Sequence, residues 1–350
     1  MNPSVSDISY EKNTLTFKIY NINVSLANAI RRIILSDVNN IVFITSPHEK
    51  NKAIFVRNTT RLNNEIIKQR LSCVPIHITD TDFPIKDYII EINKRNDTDT
   101  IQYVTTADIV IRNLKTDTIL SQEETRKIFP PNSITNEYID IARLRPALST
   151  TLKGEHLHLK CTFSIGNAKE NGSFNVASTC SYRALPDPIQ TNVIWTQLTK
   201  KYKSEGKTQA DIDELKKDWL LLDAKRITTE NAYEFMIESV GVFTPMSIVE
   251  KACQIMLDKI NKFSNDIQTR DGIIVKSNTT IPNSYDIVLE GEDYTLGKSI
   301  EYLLFANYYE SPTKSNNILS FCGFIKPHPH IDISIIRVAF NVNVPKEEIV

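Results

Sequence analysis

Two segments, one near each end of the chain, carry an alternating strand pattern followed by an apolar helical pattern. In the first, Leu15, Phe17 and Ile19 alternate with polar residues, which predicts a half-buried strand. The apolar residues of the next stretch, SLANAIRRIILSDV at 25–38, fall on one arc of about half a helical wheel. We expect Ser25 to cap this helix. The segment is therefore predicted to fold as a strand, a short turn and a helix.

The same unit recurs near the C-terminus at a constant offset, in YDIVLEGEDYTLGKSIEYLLFAN. Its strand has Ile287 and Leu289 where the first copy has Phe17 and Ile19, and its helix is expected to start at a Thr295 cap. Two related halves can bury their apolar helical faces against each other, as in a twofold dimer. The residues expected at this dimerisation seam are Leu26, Ala27, Ile30, Ile33, Ile34, Leu296, Ile300, Leu303 and Leu304.

The two copies differ in charge at the centre of the helix. Arg31 and Arg32 occupy the positions that Glu301 and Tyr302 occupy in the second copy. The helical wheel places both arginines, together with Leu35, away from the dimerisation seam. Two interpretations stay open: a solvated pair of charges, or a surface on which a third protein docks.

Composition excludes several classes of protein. The chain has 350 residues, of which 41% are hydrophobic and 24% charged, and its net charge of −1 argues against a broad nucleic-acid-binding surface. Its five cysteines are widely spaced, which argues against a disulfide framework or a cysteine-based zinc site. The polar N-terminus predicts no signal peptide, and no apolar run approaches the roughly 18 residues that would predict a membrane span.

Two histidine pairs offer an enzymatic alternative. His156 and His158 share one face of a predicted strand, and His328 and His330 flank a proline. Either pair could supply two ligands to a metal, so a metal-dependent enzyme is the second hypothesis. The sequence supplies no further ligand near either pair and no nucleophile motif, and we therefore predict no metal and no catalytic residue. A free-standing scaffold is the third hypothesis.

Several motifs resemble those of a known family. LANAIRRIILSDV is similar to the L-x-N-A-[LI]-R-R-[IV]-[LI]-L-S motif of bacterial RNA polymerase alpha, of its archaeal counterpart and of the third-largest subunit of eukaryotic RNA polymerase II. Segments 58–76, 154–178 and 235–260 resemble later motifs of the same family in the same order. The cysteine loop that many cellular relatives carry for zinc or iron–sulfur binding has no counterpart in 83–100.

The C-terminal copy resembles the small partner of that family, which is the eleventh subunit of eukaryotic RNA polymerase II or its archaeal counterpart. EGEDYTLGKSIEYLL and CGFIKPHPHIDISIIRVAF match its two motifs. Cellular members are separate chains, whereas these motifs lie in one chain. Such a fusion is similar to subunits of large cytoplasmic DNA viruses, including the African swine fever virus and poxvirus groups.

The resemblance implies a non-catalytic assembly subunit of a DNA-directed RNA polymerase, on which the two large catalytic subunits dock during viral transcription. Implied partners are the largest, second-largest and smaller subunits, with no separate small-subunit partner, no membrane and only indirect DNA contact. No cofactor is expected in this chain, since the catalytic magnesium would lie in another subunit, and the expected location is the host cytoplasm and the virion. The implied large-subunit docking residues are Arg31, Arg32, Leu35, Arg61, Glu65 and Arg70. For the last three, mutual ion pairing on a helix capped near Thr59 or Thr60 is the alternative.

The implied fold is α+β, with two alpha-like dimerisation units paired as an internal pseudo-heterodimer and a mainly β insert in the first half. Residues 1–46 and 226–265 would form the first dimerisation domain, which closes with a helix capped by Thr244 and started by Pro245. The insert would span 47–225, with a charged helical segment near 196–226. Residues 266–280 would be the junction, and 281–350 the small-subunit-like domain.

Overall fold

The protein is described by a computed structural model that covers residues 2–147, 149, 153–313 and 317–345. The first dimerisation domain, the insert and the C-terminal domain predicted above each include a few residues outside these ranges. The described strands are β1 (Ser4–Glu11), β2 (Thr14–Tyr20), β3 (Asn40–Val42), β4 (Ala53–Asn58), β5 (Tyr88–Arg95), β6 (Gln102–Thr105), β7 (Val110–Asn113), β8 (Thr118–Ile119), β9 (Asp140–Leu144), β10 (His156–Thr162), β11 (Ser164–Gly166), β12 (Ala177–Pro186), β13 (Thr228–Ser239), β14 (Ile274–Lys276), β15 (Ser284–Glu290), β16 (Leu319–Ile325) and β17 (Ile333–Phe340).

The described α-helices are α1 (Val24–Ser36), α2 (Asn64–Ser72), α3 (Gln122–Ile128), α4 (Pro188–Ser204), α5 (Gln209–Leu221), α6 (Pro245–Thr269) and α7 (Tyr294–Leu304). Helix α7 continues into a π-helical turn at Phe305–Tyr309. The chain is therefore α+β, as predicted. No described helix is both long enough and apolar enough to cross a membrane.

The described residues divide into two compact units. The first unit comprises those within 1–33, 179–238 and 249–350, and the second those within 34–178 and 239–248. The charged segment near 196–226 was assigned to the insert, but it groups with the first unit as parts of α4 and α5. These helices pack through Trp195 and Trp219, whose ring centroids are 5.2 Å apart. The domain boundaries given above stay a prediction.

The first unit contains two four-stranded antiparallel sheets. One has the order β1-β2-β13-β12, and its core is the pair of stacked rings Phe17 and Phe235, which lie opposite each other in register. The alternation of Leu15, Phe17 and Ile19 produces this buried face as predicted, since all three are at most 7% exposed. The other sheet has the order β14-β15-β17-β16.

The internal repeat is visible in the bounds of the elements. Strand β15 spans 284–290 and β2 spans 14–20, so both ends differ by 270 positions. The first residues of α7 and α1, at 294 and 24, differ by the same number. The cap residues keep this offset: Asn23 accepts a hydrogen bond from the Ser25 amide, and Asp293 accepts one from the Thr295 amide, both at 2.9 Å. The predicted Ser25 and Thr295 caps were therefore wrong by two positions, because the oxygen of an upstream Asn or Asp side chain reaches the free amides instead.

The second unit is mainly β. Its largest sheet has the order β4-β10-β5-β7-β8, and two-stranded pairs β3–β11 and β6–β9 complete it. One apolar core joins the large sheet to α2, through Ile67 and Leu71 of the helix and Ile90, Leu157 and Leu159 of the strands. Helix α2 is capped by Asn63, which accepts from the Ile66 amide at 3.0 Å, so the predicted caps at Thr59 or Thr60 were wrong. Thr244 caps α6, since its Oγ1 accepts from the Ser247 amide at 3.3 Å, and Pro245 is the first residue of that helix, as predicted.

Candidate docking and dimerisation site

Arg32 joins the first helix to the start of its C-terminal copy. Its Nη2 lies 2.6 Å from Asp293 Oδ2, and its Nε donates to Thr295 Oγ1 at 2.8 Å. The Asp293 carboxylate therefore caps helix α7 with one oxygen and accepts from Arg32 with the other. Negative charge is favourable at a helix N-terminus, and a guanidinium can bond two acceptors at once.

The helical wheel was therefore wrong about the direction of Arg32, whose side chain lies against the C-terminal copy. The wheel assigns directions to Cβ atoms, whereas the long arginine side chain carries its charge several bonds further to the nearest acceptors. A carboxylate at the helix start, in the sequence EGEDYT, was the available signal.

Arg31 and Leu35 are placed differently from Arg32. Arg31 Nε donates to Asn28 Oδ1 of the same helix at 3.1 Å, and both Arg31 and Leu35 are partly exposed. Burial raises the pKa of the Cys180 thiol to about 12, and the positive charge of Arg31 opposes that shift. Cys180 therefore stays an uncharged thiol beside the Arg31 guanidinium.

We expect Arg32 and Asp293 to be energetically coupled. Because both side chains are only partly buried, at 32% and 24% exposure, solvent screens the pair and its charged hydrogen bonds should contribute about 1 kcal/mol. A double-mutant cycle with Arg32→Ala and Asp293→Ala, measured by urea unfolding, tests this. Coupling indistinguishable from zero would contradict the pairing.

The apolar faces of the two helices are buried unequally. Ala27, Ile33, Ile34 and Leu296 are at most 1% exposed, and Leu26, Ile30, Ile300 and Leu304 are partly buried. Leu303, however, is 40% exposed, which does not fit a buried seam position. The neighbouring Leu304 is partly buried, and the helix passes into the π turn directly after it.

The C-terminal helix packs mainly on its own sheet. Leu296 belongs to the core that Ile287, Leu289 and Ile336 form, and Ile300 and Leu304 pack against that core. Three residues of α6 also pack against it, namely Met256, Phe263 and Ile267. The wheel could not distinguish burial against a neighbouring sheet from burial against a partner helix, because both require the same apolar stripe.

The residues on and before α2 line a groove, which we call the arginine groove. Arg61 and Glu65 are exposed, and no ion pair between Arg61, Glu65 and Arg70 occurs in the described structure. Arg70 Nη1 instead donates to the Ile141 carbonyl at 3.2 Å. The groove has a volume of about 690 Å³, and its lining residues are Arg61, Leu62, Arg70, Ile101, Asp140, Arg143 and Arg145.

Sequence reasoning missed Arg143 and Arg145. At the end of β9, Ala142 and Leu144 are buried while Arg143 and Arg145, the residue directly after the strand, are exposed. The Arg143 guanidinium lies 5.1 Å from the centre of the Tyr103 ring, and Arg145 Nε donates to Glu155 Oε1 at 2.6 Å. The alternation indicated that both side chains are exposed, but it carried no signal for the groove that they line.

The first histidine pair has partners within its own sheet. His158 Nε2 lies 2.6 Å from Glu91 Oε1, and that hydrogen bond lowers the pKa of Glu91. His156 Nε2 lies 2.7 Å from Asn93 Oδ1, and burial together with nearby Arg95 lowers the pKa of His156. The sheet thus places two rings beside one carboxylate and one amide.

The second pair lies in the loop before β17, where His328 Nδ1 accepts from the His330 amide at 3.2 Å. Across the described ranges, no group of three or more histidine, cysteine, aspartate or glutamate residues is arranged to hold a metal ion. The third ligand that the enzymatic alternative needs is therefore not found beside either pair in the described residues.

Comparison with known proteins identifies a family. The model of the RNA polymerase Rpb3/Rpb11 dimerisation domain matches residues 16–260, more than half of the chain. The DNA-directed RNA polymerases I and III subunit RPAC1 of Saccharomyces cerevisiae is 22% identical over 300 residues, covering 73% of this chain and 85% of the relative. The human protein of the same name is 24% identical over 310 residues, covering 76% and 85%.

An archaeal relative extends the similarity. DNA-directed RNA polymerase subunit Rpo3 of Pyrococcus horikoshii is 23% identical over 282 residues, covering 75% of this chain and 96% of the relative. These relatives are RNA polymerase subunits of the alpha/Rpb3 type, which are not catalytic. The chain therefore belongs to the RNA polymerase Rpb3/Rpb11 dimerisation domain family, as a non-catalytic subunit of DNA-directed RNA polymerase.

Proposed function

We propose that this chain is the assembly platform of a multi-subunit RNA polymerase, on which the largest and second-largest subunits dock. The match of the family model to residues 16–260 carries this proposal. The partly exposed Arg31 and Leu35, and the exposed Arg61 and Glu65, supply docking surface of the kind that the family resemblance assigns to large-subunit contacts. The catalytic magnesium then lies in another subunit, and this chain needs no cofactor of its own.

We further propose that the chain supplies both members of the alpha-like pair, so that no separate small subunit joins it. Two observations support this. The strand, cap and helix recur at a constant offset, and the C-terminal copy lies beyond the 16–260 match. In addition, Arg32 of the first copy bonds to the cap of the second, as the two halves of a pseudo-heterodimer would require.

The fusion also bears on the source of the polymerase. Because the joined arrangement resembles subunits of large cytoplasmic DNA viruses, we propose that the complex acts in viral transcription in the host cytoplasm and is packaged in the virion. DNA contact would be indirect, through the large subunits.

Affinity purification of the tagged chain from its native source tests the platform role. We expect both large polymerase subunits to co-purify in one particle. Arg31→Ala should weaken capture of the second-largest subunit by about tenfold, because one interfacial charged hydrogen bond contributes roughly 1.5 kcal/mol. We choose Arg31 rather than Arg32 because substitution of Arg32 also removes its hydrogen bonds to Asp293 and Thr295 within the chain.

Arg57→Ala, at an exposed arginine of β4, is the matched control and should leave capture unchanged. Recovery of the chain as a small particle without polymerase subunits would favour a free-standing scaffold. Stoichiometric zinc in the isolated protein would instead favour the metal-dependent enzyme.

A further inference from the structure

Three of the four guanidinium groups of the arginine groove are held in place before any partner arrives. Arg70 bonds to the Ile141 carbonyl, Arg143 lies over the Tyr103 ring, and Arg145 bonds to Glu155. A positively charged group that is already ordered loses little conformational entropy when an anion binds. The groove is therefore prepared for an anionic ligand.

The charges of the groove are unbalanced. Arg145 is neutralised by Glu155, but Arg61, Arg70 and Arg143 form no ion pair with a carboxylate in the described part of the chain. Among the lining residues given above, Asp140 is the one acidic residue. Since the whole chain has a net charge of −1, the positive surplus is a local feature of this groove.

We propose that the arginine groove binds an acidic peptide segment of another polymerase subunit. Carboxylates of that segment bond to Arg61, Arg70 and Arg143 as planar forked pairs, and an apolar side chain of the segment covers Ile101. This inference rests on the proposed platform function, and it specifies the chemistry of the partner surface at a site that the sequence only partly identified.

A peptide fits the groove better than a nucleic acid does. Ile101, which is 57% exposed, and the partly buried Leu62 both line the groove, and a phosphate backbone would leave their apolar surface uncovered. The Asp140 carboxylate in the lining repels phosphates and carboxylates alike, but a peptide also has backbone amides that can donate to it. The mixture of arginine, aromatic and aliphatic surface is typical of protein interfaces.

Site-directed photocrosslinking in the assembled polymerase tests the proposal. The tagged full-length chain carries p-benzoylphenylalanine in place of Ile101, and the complex is purified from its native source before irradiation. We expect a crosslink to one partner subunit, at a segment with several aspartate or glutamate residues. Ile54→p-benzoylphenylalanine, at a 67% exposed position of β4, is the matched control and should not crosslink to that segment.

A charge-reversal substitution in the chain that carries p-benzoylphenylalanine at position 101 completes the test. Arg143→Glu should reduce the yield at the acidic segment by about tenfold, while Arg57→Glu on β4 should not change it. Replacing the crosslinked acidic residues of the partner by lysine should restore the yield with Arg143→Glu. Rescue of this kind would identify the pairing directly.

The outcomes that overturn the inference are distinct from those that overturn the platform function. A crosslink to nucleic acid, to a segment without carboxylates or to no other molecule in an intact complex refutes the acidic peptide and leaves the platform role standing. A purified chain that carries no polymerase subunits at all refutes the platform role itself.

Discussion

Gly154→Ala is expected to lower the free energy of unfolding by about 3 kcal/mol or more, because the site has no room for a methyl group. A Cβ at this position would lie 1.8 Å from the backbone carbonyl oxygen of Asn96. Asn96 cannot withdraw easily, since it is fully buried and its side-chain amide donates to the carbonyl oxygens of Thr100 and Leu144. The clash is therefore with backbone that the structure holds in place.

The same substitution should also disturb the arginine groove. The residue after Gly154 is Glu155, whose carboxylate accepts from the amide and the side chain of Arg145. Displacement of this backbone would move Glu155 and, with it, Arg145. Loss of stability and loss of the proposed groove function should therefore appear together in this variant.

Urea unfolding of the purified chain measures the effect, and Gly172→Ala is the matched control. Its Cβ would meet no atom within 4 Å, so that variant should be unchanged or slightly more stable through the unfolded state. Equal stability of the Gly154→Ala protein and the wild type would contradict the close approach to Asn96.

Leu296→Ala is expected to cost about 3 kcal/mol of stability, within the usual range of roughly 2–5 kcal/mol for a buried leucine. Leu296 is 1% exposed and packs in the core of the C-terminal sheet with Leu289 and Ile336. The substitution removes apolar contacts and leaves a cavity that the surrounding strands can fill only in part. We expect a lower urea midpoint for the transition that reports on the C-terminal sheet.

Leu303→Ala on the same helix is the control, because it removes the same atoms from a position that is 40% exposed. Its cost should stay below about 1 kcal/mol. Equal losses at the two positions would mean that Leu303 is buried in solution, and the helical-wheel prediction of a seam through both leucines would regain support.

Much of the fold was predictable because it depends on local patterning. The alternation in β2, the helical stripe of α1 and their repetition near the C-terminus predicted four elements that the structure contains. Thr244 and Pro245 predicted the start of α6, because proline suits the first helical turn. The caps of α1, α2 and α7 were predicted wrongly, because several polar residues precede each helix and local sequence does not decide which one bonds.

The candidate site was predictable only in part. Arg61 and Arg70 were found because they lie in a recognisable motif, but Arg143 and Arg145 lie far along the chain from it. Antiparallel pairing of β6 with β9 and the packing of α2 bring these groups to one groove. The periodicity of a single segment gives no information about which distant segments lie near it. The two arginines could therefore not be assigned to the groove from the sequence.

The sequence alone determined the internal repeat, because periodic burial is a property of neighbouring residues. It also contains the motifs whose family resemblance implied the α+β class. Only the tertiary structure decided that Arg32 bonds to Asp293, that Leu303 is exposed and that four arginines line one groove. The direction of a long charged side chain depends on the hydrogen-bond acceptors around it, and the partner of an apolar face depends on the surfaces around it. Both are supplied by segments that are distant in the sequence.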